Sequence, residues 1–241
     1  MARFFTTPIA GDTAVLKGED ARHIAKSLRM RVGEELTLCD GAGTDYPCVI
    51  AVIQEDAVVL RVGAHTPSRI EMPVKIRLYQ AVPKGEKMDW IVQKAVELGV
   101  AEIIPVITSR CVSRPDRKTA AKKQERFARI ALEAAKQSGR GIVPQVAQQL
   151  AFEAALQQAA ASGSTILFYE RAHMPLREYF NCFSGEALNI FIGSEGGFSP
   201  EEAELARASG AGIASLGARI LRCETAALCA LSAVSYALGE F

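Results

Sequence analysis

The segment Gly193-Ser194-Glu195-Gly196-Gly197-Phe198-Ser199-Pro200-Glu201-Glu202 follows directly on the apolar run LNIFI. Its three glycines allow a sharp turn and the close approach of a ligand to bare backbone. The helix that follows carries its own cap, with Ser199 as N-cap, Pro200 at the first helical position and Glu202 closing a capping box. Two glutamates in the first turn use up the positive end of the helix and would repel a phosphate. The spacing also fits neither GxGxxG nor the Walker pattern. A glycine loop that binds through its backbone, without phosphate, suits a ligand such as a nucleoside. An ordinary tight strand-to-helix turn would use the same residues.

Two further segments carry unusual chemistry. In SLGARILRCETAALCAL (215–231), Ile220 and Leu221 are apolar in what should be a polar connection, and Arg219, Arg222 and Glu224 supply charge nearby. Such a loop could wall a flat, partly apolar ligand, or be a packed crossing with a structural ion pair. In QAVPKGEKMDWIVQKAVELGV (80–100), Lys84 and Lys87 sit at the N-terminal end of an amphipathic helix, where the dipole disfavours cations. A charge placed against local preference points to a function, with two solvated surface lysines as the alternative.

The chain has 241 residues, a length for one to two domains, with 49% hydrophobic and 23% charged residues, a globular balance. Its net charge of +1 advertises no polyanion partner as a whole. The cations are clustered, however. Segment 22–31 holds Arg22, Lys26, Arg29 and Arg31 with no acid, and 110–140 holds 10 Lys/Arg against 3 Asp/Glu. Together these two stretches raise RNA or DNA binding above background. The opening residues show no long apolar stretch like that of a signal peptide. The most apolar run, 226–238, is too short to span a bilayer. Six cysteines without a CxxC pair, and no histidine at ligand spacing, point to reduced thiols and no metal site.

The elements that must position these groups fall into two patterns. Residues 1–72 carry short β-like runs (35–40, 46–54, 57–63) and one amphipathic helix over 19–30, with Ala21, Ile24 and Leu28 on its apolar side. This predicts a small β-barrel-like module, followed by a linker through Thr66-Pro67-Ser68 and Met72-Pro73. From 73 to 241, strands and helices alternate: strand 74–82, helix 85–98, strand 101–108, helix 117–138, helix 151–161, strand 165–170, helix 175–182, strand 188–193, helix 200–208, strand 213–217, helix 224–238. The strands from 165 onward are continuous apolar runs, as in a parallel sheet covered by helices. Ligands of such sheets bind beyond the carboxyl ends of the strands, here after 170, 193 and 217.

In order along the chain, PKGEKMDWIVQKAVELGV, AAKQSGR, IGSEGGFSPEE and LGARILRCETAA resemble the SPOUT methyltransferases that methylate N3 of a uridine in small-subunit ribosomal RNA. RHIAKSLRMRVGEEL and the opening ARFF are similar to that family's N-terminal RNA-binding domain, a PUA-like barrel. One departure is Ser194, where the glycine loop of the family commonly has proline. The resemblance implies an α/β C-terminal SPOUT domain with a parallel sheet and a deep trefoil knot, in a cytoplasmic homodimer. It implies S-adenosyl-L-methionine as cofactor, held by Tyr169, Glu170, Ile192, Gly193, Gly196, Gly197, Leu216, Gly217, Ile220 and Leu221. Uridine N3 carries a proton and is a poor nucleophile until that proton leaves. Glu195 or Glu170 is the candidate to remove it, and Arg222 to stabilise the uracil anion. Glu224 is expected to hold a loop or an arginine in place. Arg3, Arg22, Lys26, Arg29, Lys84, Arg110, Arg114 and Arg140 are the expected phosphate contacts. The partners implied are ribosomal RNA or the small ribosomal subunit, with no membrane. Competing readings are a SPOUT enzyme acting on transfer RNA or a ribose 2′-oxygen, and a non-catalytic RNA-binding assembly factor.

Overall fold

The computed structural model describes residues 2–6, 9, 11–181 and 183–239. The chain divides into two compact units. One comprises the residues up to Glu71 with Ala135–Val143, and the other comprises Met72–Ala134 with Pro144 onward. The expected division was 1–72 and 73–241. The segment Ala135–Val143, expected in the second domain, groups with the first.

The first unit is a six-stranded sheet in the order β1-β3-β4-β5-β2, with β6 on β4. Its strands are β1 (Arg3–Phe5), β2 (Thr13–Lys17), β3 (Glu35–Cys39), β4 (Thr44–Ile53), β5 (Ala57–Val62) and β6 (Thr66–Pro67). Alternating burial along β5 and the inward residues of β3 and β4 build a core of Leu36, Leu38, Ile50, Val58 and Leu60. Two expectations change here. Thr66–Pro67 is not a linker but an edge strand on Thr44–Asp45, a place where a proline's missing N–H costs nothing. Nor does the helix run over 19–30. Helix α1 (Glu19–Arg22) widens into a π-helical turn, His23–Ser27, closed by Leu28 N–H donating to His23 O at 2.9 Å. Arg29 then adopts φ 53°, which ends the helix. The wide turn carries Leu28 off the apolar face into solvent, while Ala21 and Ile24 stay buried.

The segment Ala135–Val143 is fastened to this unit by one carboxylate. Glu71 accepts from the Arg140 guanidinium (Nε at 3.2 Å) and from the backbone N–H groups of Gly141 (2.9 Å) and Ile142 (3.0 Å). Ile142 also bridges to Gly41 and Ala42.

The second unit is an eight-stranded sheet in the order β10-β8-β7-β13-β11-β14-β12, with β9 on β8. The strands are β7 (Lys75–Ala81), β8 (Glu102–Ile107), β9 (Gln145–Val146), β10 (Leu150–Ala151), β11 (Ser164–Phe168), β12 (Met174–Pro175), β13 (Ala187–Ile192) and β14 (Gly212–Ser215). Every pairing in it is parallel. The helices of the alternation are α2 (Lys87–Glu97), α3 (Arg117–Ser138), α4 (Phe152–Ser162), α5 (Leu176–Asn181), α6 (Pro200–Ala208) and α7 (Cys223–Ala237). Four of the last five residues of β7, and the apolar runs of β11 and β13, are buried on both faces. That is why the strands from 165 onward read as largely apolar stretches. Tyr79 and Phe191 stack at 4.4 Å across the β7–β13 pair. Only the two-residue strands β9, β10 and β12 escape the sequence pattern, being too short to show a period.

Candidate functional site

Three strands end side by side: β13 at Ile192, β11 at Phe168 and β14 at Ser215. Beyond their carboxyl ends lies a cavity of about 260 Å³. Its walls are Phe168–Glu170, the turn Ile192–Gly197, the loop Ser215–Gly217 with Arg219–Leu221, and Cys223 and Ala226 of α7. Every residue expected to hold the cofactor lines it.

The turn is packed so closely that a side chain is excluded at Gly193 and at Gly196. A Cβ on Gly193 would sit 2.9 Å from the Gly197 Cα, and one on Gly196 would sit 2.9 Å from the Arg110 Cβ. Gly197 has φ 65°, donates its N–H to Ser194 O at 3.0 Å, and would carry a Cβ 3.2 Å from Glu170 Oε2. Two donors fix the turn's carbonyls. Gln80, fully buried at the end of β7, donates to Gly193 O at 3.2 Å, and Arg110 Nη1 donates to Gly196 O at 2.9 Å. At α6 the capping box forms, with Glu202 N–H on Ser199 Oγ and Ser199 N–H on the Glu202 carboxylate. Glu202 also takes the Ser109 N–H at 2.6 Å. The amides at this helix start are therefore engaged, and a phosphate finds acidic side chains there instead.

The opposite wall is the loop 216–222. Leu216 and Leu221 are half-buried, whereas Ile220 is 80% exposed, an apolar side chain at the rim of a cavity. Arg222 is exposed and stands at the N-cap of α7, outside the cavity lining.

The carboxylates divide by environment. Glu195 accepts from Lys87 Nζ at 2.7 Å and from the Lys84 backbone N–H at 3.1 Å. Lys87 Nζ also lies 3.7 Å from Glu224 Oε2. Burial disfavours the Glu195 carboxylate, but the Lys87 ammonium and the backbone N–H groups outweigh it and hold the carboxyl below its usual range. Glu224 is likewise held low: burial opposes ionisation, and its own backbone N–H, the Cys223 thiol, Lys87 and Arg222 prevail. The Cys223 thiol is pushed up to about 12, first by burial and then by Glu224, to which it donates at 3.2 Å. Glu170, by contrast, is exposed at the cavity mouth, with no ion pair among the described residues. Lys87 earns its place from a sequence signal, a lysine at the wrong end of a helix. Gln80 could have been found as a polar residue inside a buried strand, which needs a partner.

The expected phosphate contacts scatter. Arg22, Lys26 and Arg29 are exposed on the first unit, with Arg22 3.6 Å from Asp56. Lys84 and Arg110 are exposed beside the glycine turn. The Arg114 guanidinium is committed to the carbonyls of Thr108 (3.0 Å), Ser109 (2.9 Å) and Cys111 (3.2 Å). Two expectations are corrected. Arg140 is 4% exposed and paired with Glu71, and Arg3 is paired with Asp45 with its side chain 13% exposed. Arg140 is thus buried in an ion pair of the first unit, and the part-buried Arg3 guanidinium is already engaged by Asp45.

Among the described residues no group of three His, Cys, Asp or Glu could hold a metal ion, and no helix is long and apolar enough to cross a membrane. The described cysteines are free thiols; Cys182 lies outside the described residues.

A parallel sheet with a backbone-built cavity at its carboxyl edge, joined to a small strand-rich unit, matches two family models. They are an RNA methyltransferase domain over residues 70–235 and an RNA methyltransferase PUA domain over residues 16–63. The class is thus the RNA methyltransferases. The ribosomal RNA small subunit methyltransferase E of Bacillus subtilis is 36% identical over 93% of this chain and 90% of its own length. The protein of that name from Mycobacterium bovis is 31% identical over 95% and 88%. The solved structure of the Neisseria gonorrhoeae ribosomal RNA small subunit methyltransferase E bound to S-adenosyl methionine is 32% identical. It superposes with a TM-score of 0.85 over 98% of this chain and 97% of that one. A Legionella pneumophila methyltransferase in complex with SAM is 34% identical, with a TM-score of 0.82 over 98% and 97%. This chain belongs to the ribosomal RNA small subunit methyltransferase E family.

Proposed function

We propose that this protein transfers a methyl group from S-adenosylmethionine to N3 of a uridine in small-subunit ribosomal RNA, in the cytoplasm. The observation that carries the reading is the glycine turn. Gly193 and Gly196 leave no room for a Cβ and Gly197 holds a positive φ, so at these positions the cavity wall is bare N–H and C=O, groups that hydrogen-bond a base edge. Ile192, Leu216 and Leu221 add an apolar lining suited to a flat ring. The capped α6 disfavours a phosphate, which fits a nucleoside cofactor that carries none.

When bound, S-adenosylmethionine supplies an electrophilic methyl carbon on its sulfonium. The protein's share is alignment and the handling of one proton. Holding donor and acceptor in line can contribute up to roughly 7–11 kcal/mol. Glu170 is the candidate to take the N3 proton, because its carboxylate is exposed at the cavity mouth and has no ion pair among the described residues. Its acceptance of the proton leaves the uracil ring negative. Arg222, exposed where the loop enters α7, counters that charge on the uracil oxygens. Glu195 acts structurally, since its carboxylate is already taken by Lys87 and the Lys84 amide.

The turn 193–197 and the loop 216–222 belong on this reading to a trefoil knot, and two copies pair through their C-terminal domains. Ala227, Ala230 and Ser235 of α7 are buried within their own unit and Ala226 lines the cavity, which leaves Ser232 and Ala233 partly exposed for a partner. Light scattering checks the pairing, and a fully active monomer would end it.

The experiment for the reaction is mass spectrometry of small-subunit ribosomal RNA from cells with and without this gene. The expected result is loss of one N3-methyluridine. Loss of a ribose methyl, or of a transfer RNA modification, would overturn the reading.

A further inference from the structure

Three pieces of chain that are distant in sequence meet at one ammonium. Lys87 opens α2, Glu195 lies in the glycine turn after β13, and Glu224 lies in the first turn of α7. Lys87 Nζ is 2.7 Å from Glu195 Oε1 and 3.7 Å from Glu224 Oε2. Glu195 lines the cavity, and Glu224, which does not, directly follows the lining residue Cys223 in the first turn of α7. One wall is the turn 192–197 and the other is the loop 215–221 leading into α7. Lys87 itself does not line the cavity. It stands at a helix N-terminus, where a cation is disfavoured by the dipole, and two anions compensate it there.

We propose that Lys87 is a positioning residue for methyl transfer: its ammonium, shared between Glu195 and Glu224, sets the separation of the two cofactor-binding walls. The inference rests on the cavity being the S-adenosylmethionine site. Without the ammonium, the two ionised carboxylates lose the cation they share, and their repulsion pushes the walls apart. The other groups facing this seam are the Cys223 thiol, which donates to Glu224, Arg222, whose charge bears on Glu224, and the Lys84 backbone N–H on Glu195. None of them lies between the two carboxylates in the way Lys87 does.

Lys87→Met keeps the length of the stem and removes the charge. The expected result at pH 8 is a rise of roughly fivefold or more in Kd and KM for S-adenosylmethionine. RNA affinity and the melting temperature should change little, and kcat should fall less than KM rises. Lys87→Arg should restore most of the cofactor affinity. Lys87→Met/Glu195→Gln should bind better than Lys87→Met alone, because one carboxylate has no partner to repel. The Lys87→Met defect should also shrink as pH falls toward the carboxylate range. A residue that only fills space would give none of these rescues. Calorimetry of the wild type with S-adenosylmethionine separates the two failures. If the wild type does not bind, the site assignment falls. If the wild type binds and Lys87→Met binds equally well, or the double variant is no better than the single, the positioning role falls alone.

Discussion

A Cβ placed on Gly193 would lie 2.9 Å from the Cα of Gly197, so the two ends of the turn touch backbone to backbone. Contact at this distance requires glycine at position 193. At 197 the positive φ of 65° makes glycine the residue that fits without strain.

Gly193→Ala should therefore force the turn open. The expected outcome is at least a tenfold loss of S-adenosylmethionine affinity by calorimetry, or about 1.4 kcal/mol. The circular dichroism spectrum should be unchanged, since β13 ends before the turn. Gly197→Val should abolish binding. Either variant binding as tightly as wild type would mean that the turn is not the cofactor's wall.

Glu170 and Glu195 should separate kinetically. Glu170→Gln keeps the shape and removes the base, so kcat should fall by about 10²–10⁴-fold, a larger effect than any change in cofactor Kd. Glu195→Gln weakens the tie to Lys87 and should raise KM for the cofactor more than it lowers kcat. The reverse pattern in single-turnover assays would exchange their roles.

The turn and its capping box were legible in the sequence because all their parts are local. Glycine permissiveness, an N-cap serine and a glutamate three residues on act within a dozen positions. Strand order was legible only as a class, since a continuous apolar run says that a strand is buried but not what lies beside it. The Lys87–Glu195 contact joins residues 108 positions apart, and nothing local marks it beyond a lysine at an unfavourable helix end. Arg140 shows the same limit from the other side. In a stretch crowded with cations it reads as surface, yet Glu71, distant in sequence, draws it inside. The helix expected over 19–30 failed for a local reason, because the π turn at His23–Ser27 shifts the period that placed Leu28 on the buried face.

Arg140→Ala should lower stability and leave RNA electrostatics alone. Its side chain is 5% exposed, and removing it takes the cation from the Glu71 carboxylate, which is part-buried and keeps the Gly141 and Ile142 N–H groups. Breaking a fully buried pair costs about 3–5 kcal/mol, and this one should cost less because those two hydrogen bonds remain. Urea unfolding should show an earlier midpoint, while the salt dependence of RNA binding keeps its slope. Glu71→Gln should cost less, because an amide oxygen can still accept from Gly141 and Ile142.

Arg22, Lys26 and Arg29 should do the opposite. All are exposed on one short segment of the first unit. Each charge removed that had neutralised a phosphate should flatten the log–log salt slope by about 0.7 for single strands or about 0.9 for duplex. The melting temperature should not move. Filter binding at several salt concentrations checks it, and an unchanged slope in the triple alanine variant would take this face away from the RNA.

The Lys87–Glu195 pair sets a pH window for the stability of the second unit. The Glu195 carboxyl is held below its ordinary value of 4.5 in the folded chain. A depressed acid contributes stability that is present above its unfolded value and is lost as pH falls through the folded one. Lys87 is raised above its ordinary 10.5, chiefly by the hydrogen bond to Glu195. A raised base contributes stability that is present below its unfolded value and is lost as pH rises through the folded one. The pair should therefore act at full strength between about pH 4.5 and pH 10.5. Glu195→Gln removes the carboxylate at every pH, so the difference in melting temperature between wild type and variant reads the pair directly. That difference should be flat through the neutral range and should shrink as the pH drops below the ordinary carboxylate range or rises beyond the ordinary lysine value of 10.5. If it has already vanished at pH 6, Glu195 is protonating above its ordinary value, and Lys87 is not its partner in solution.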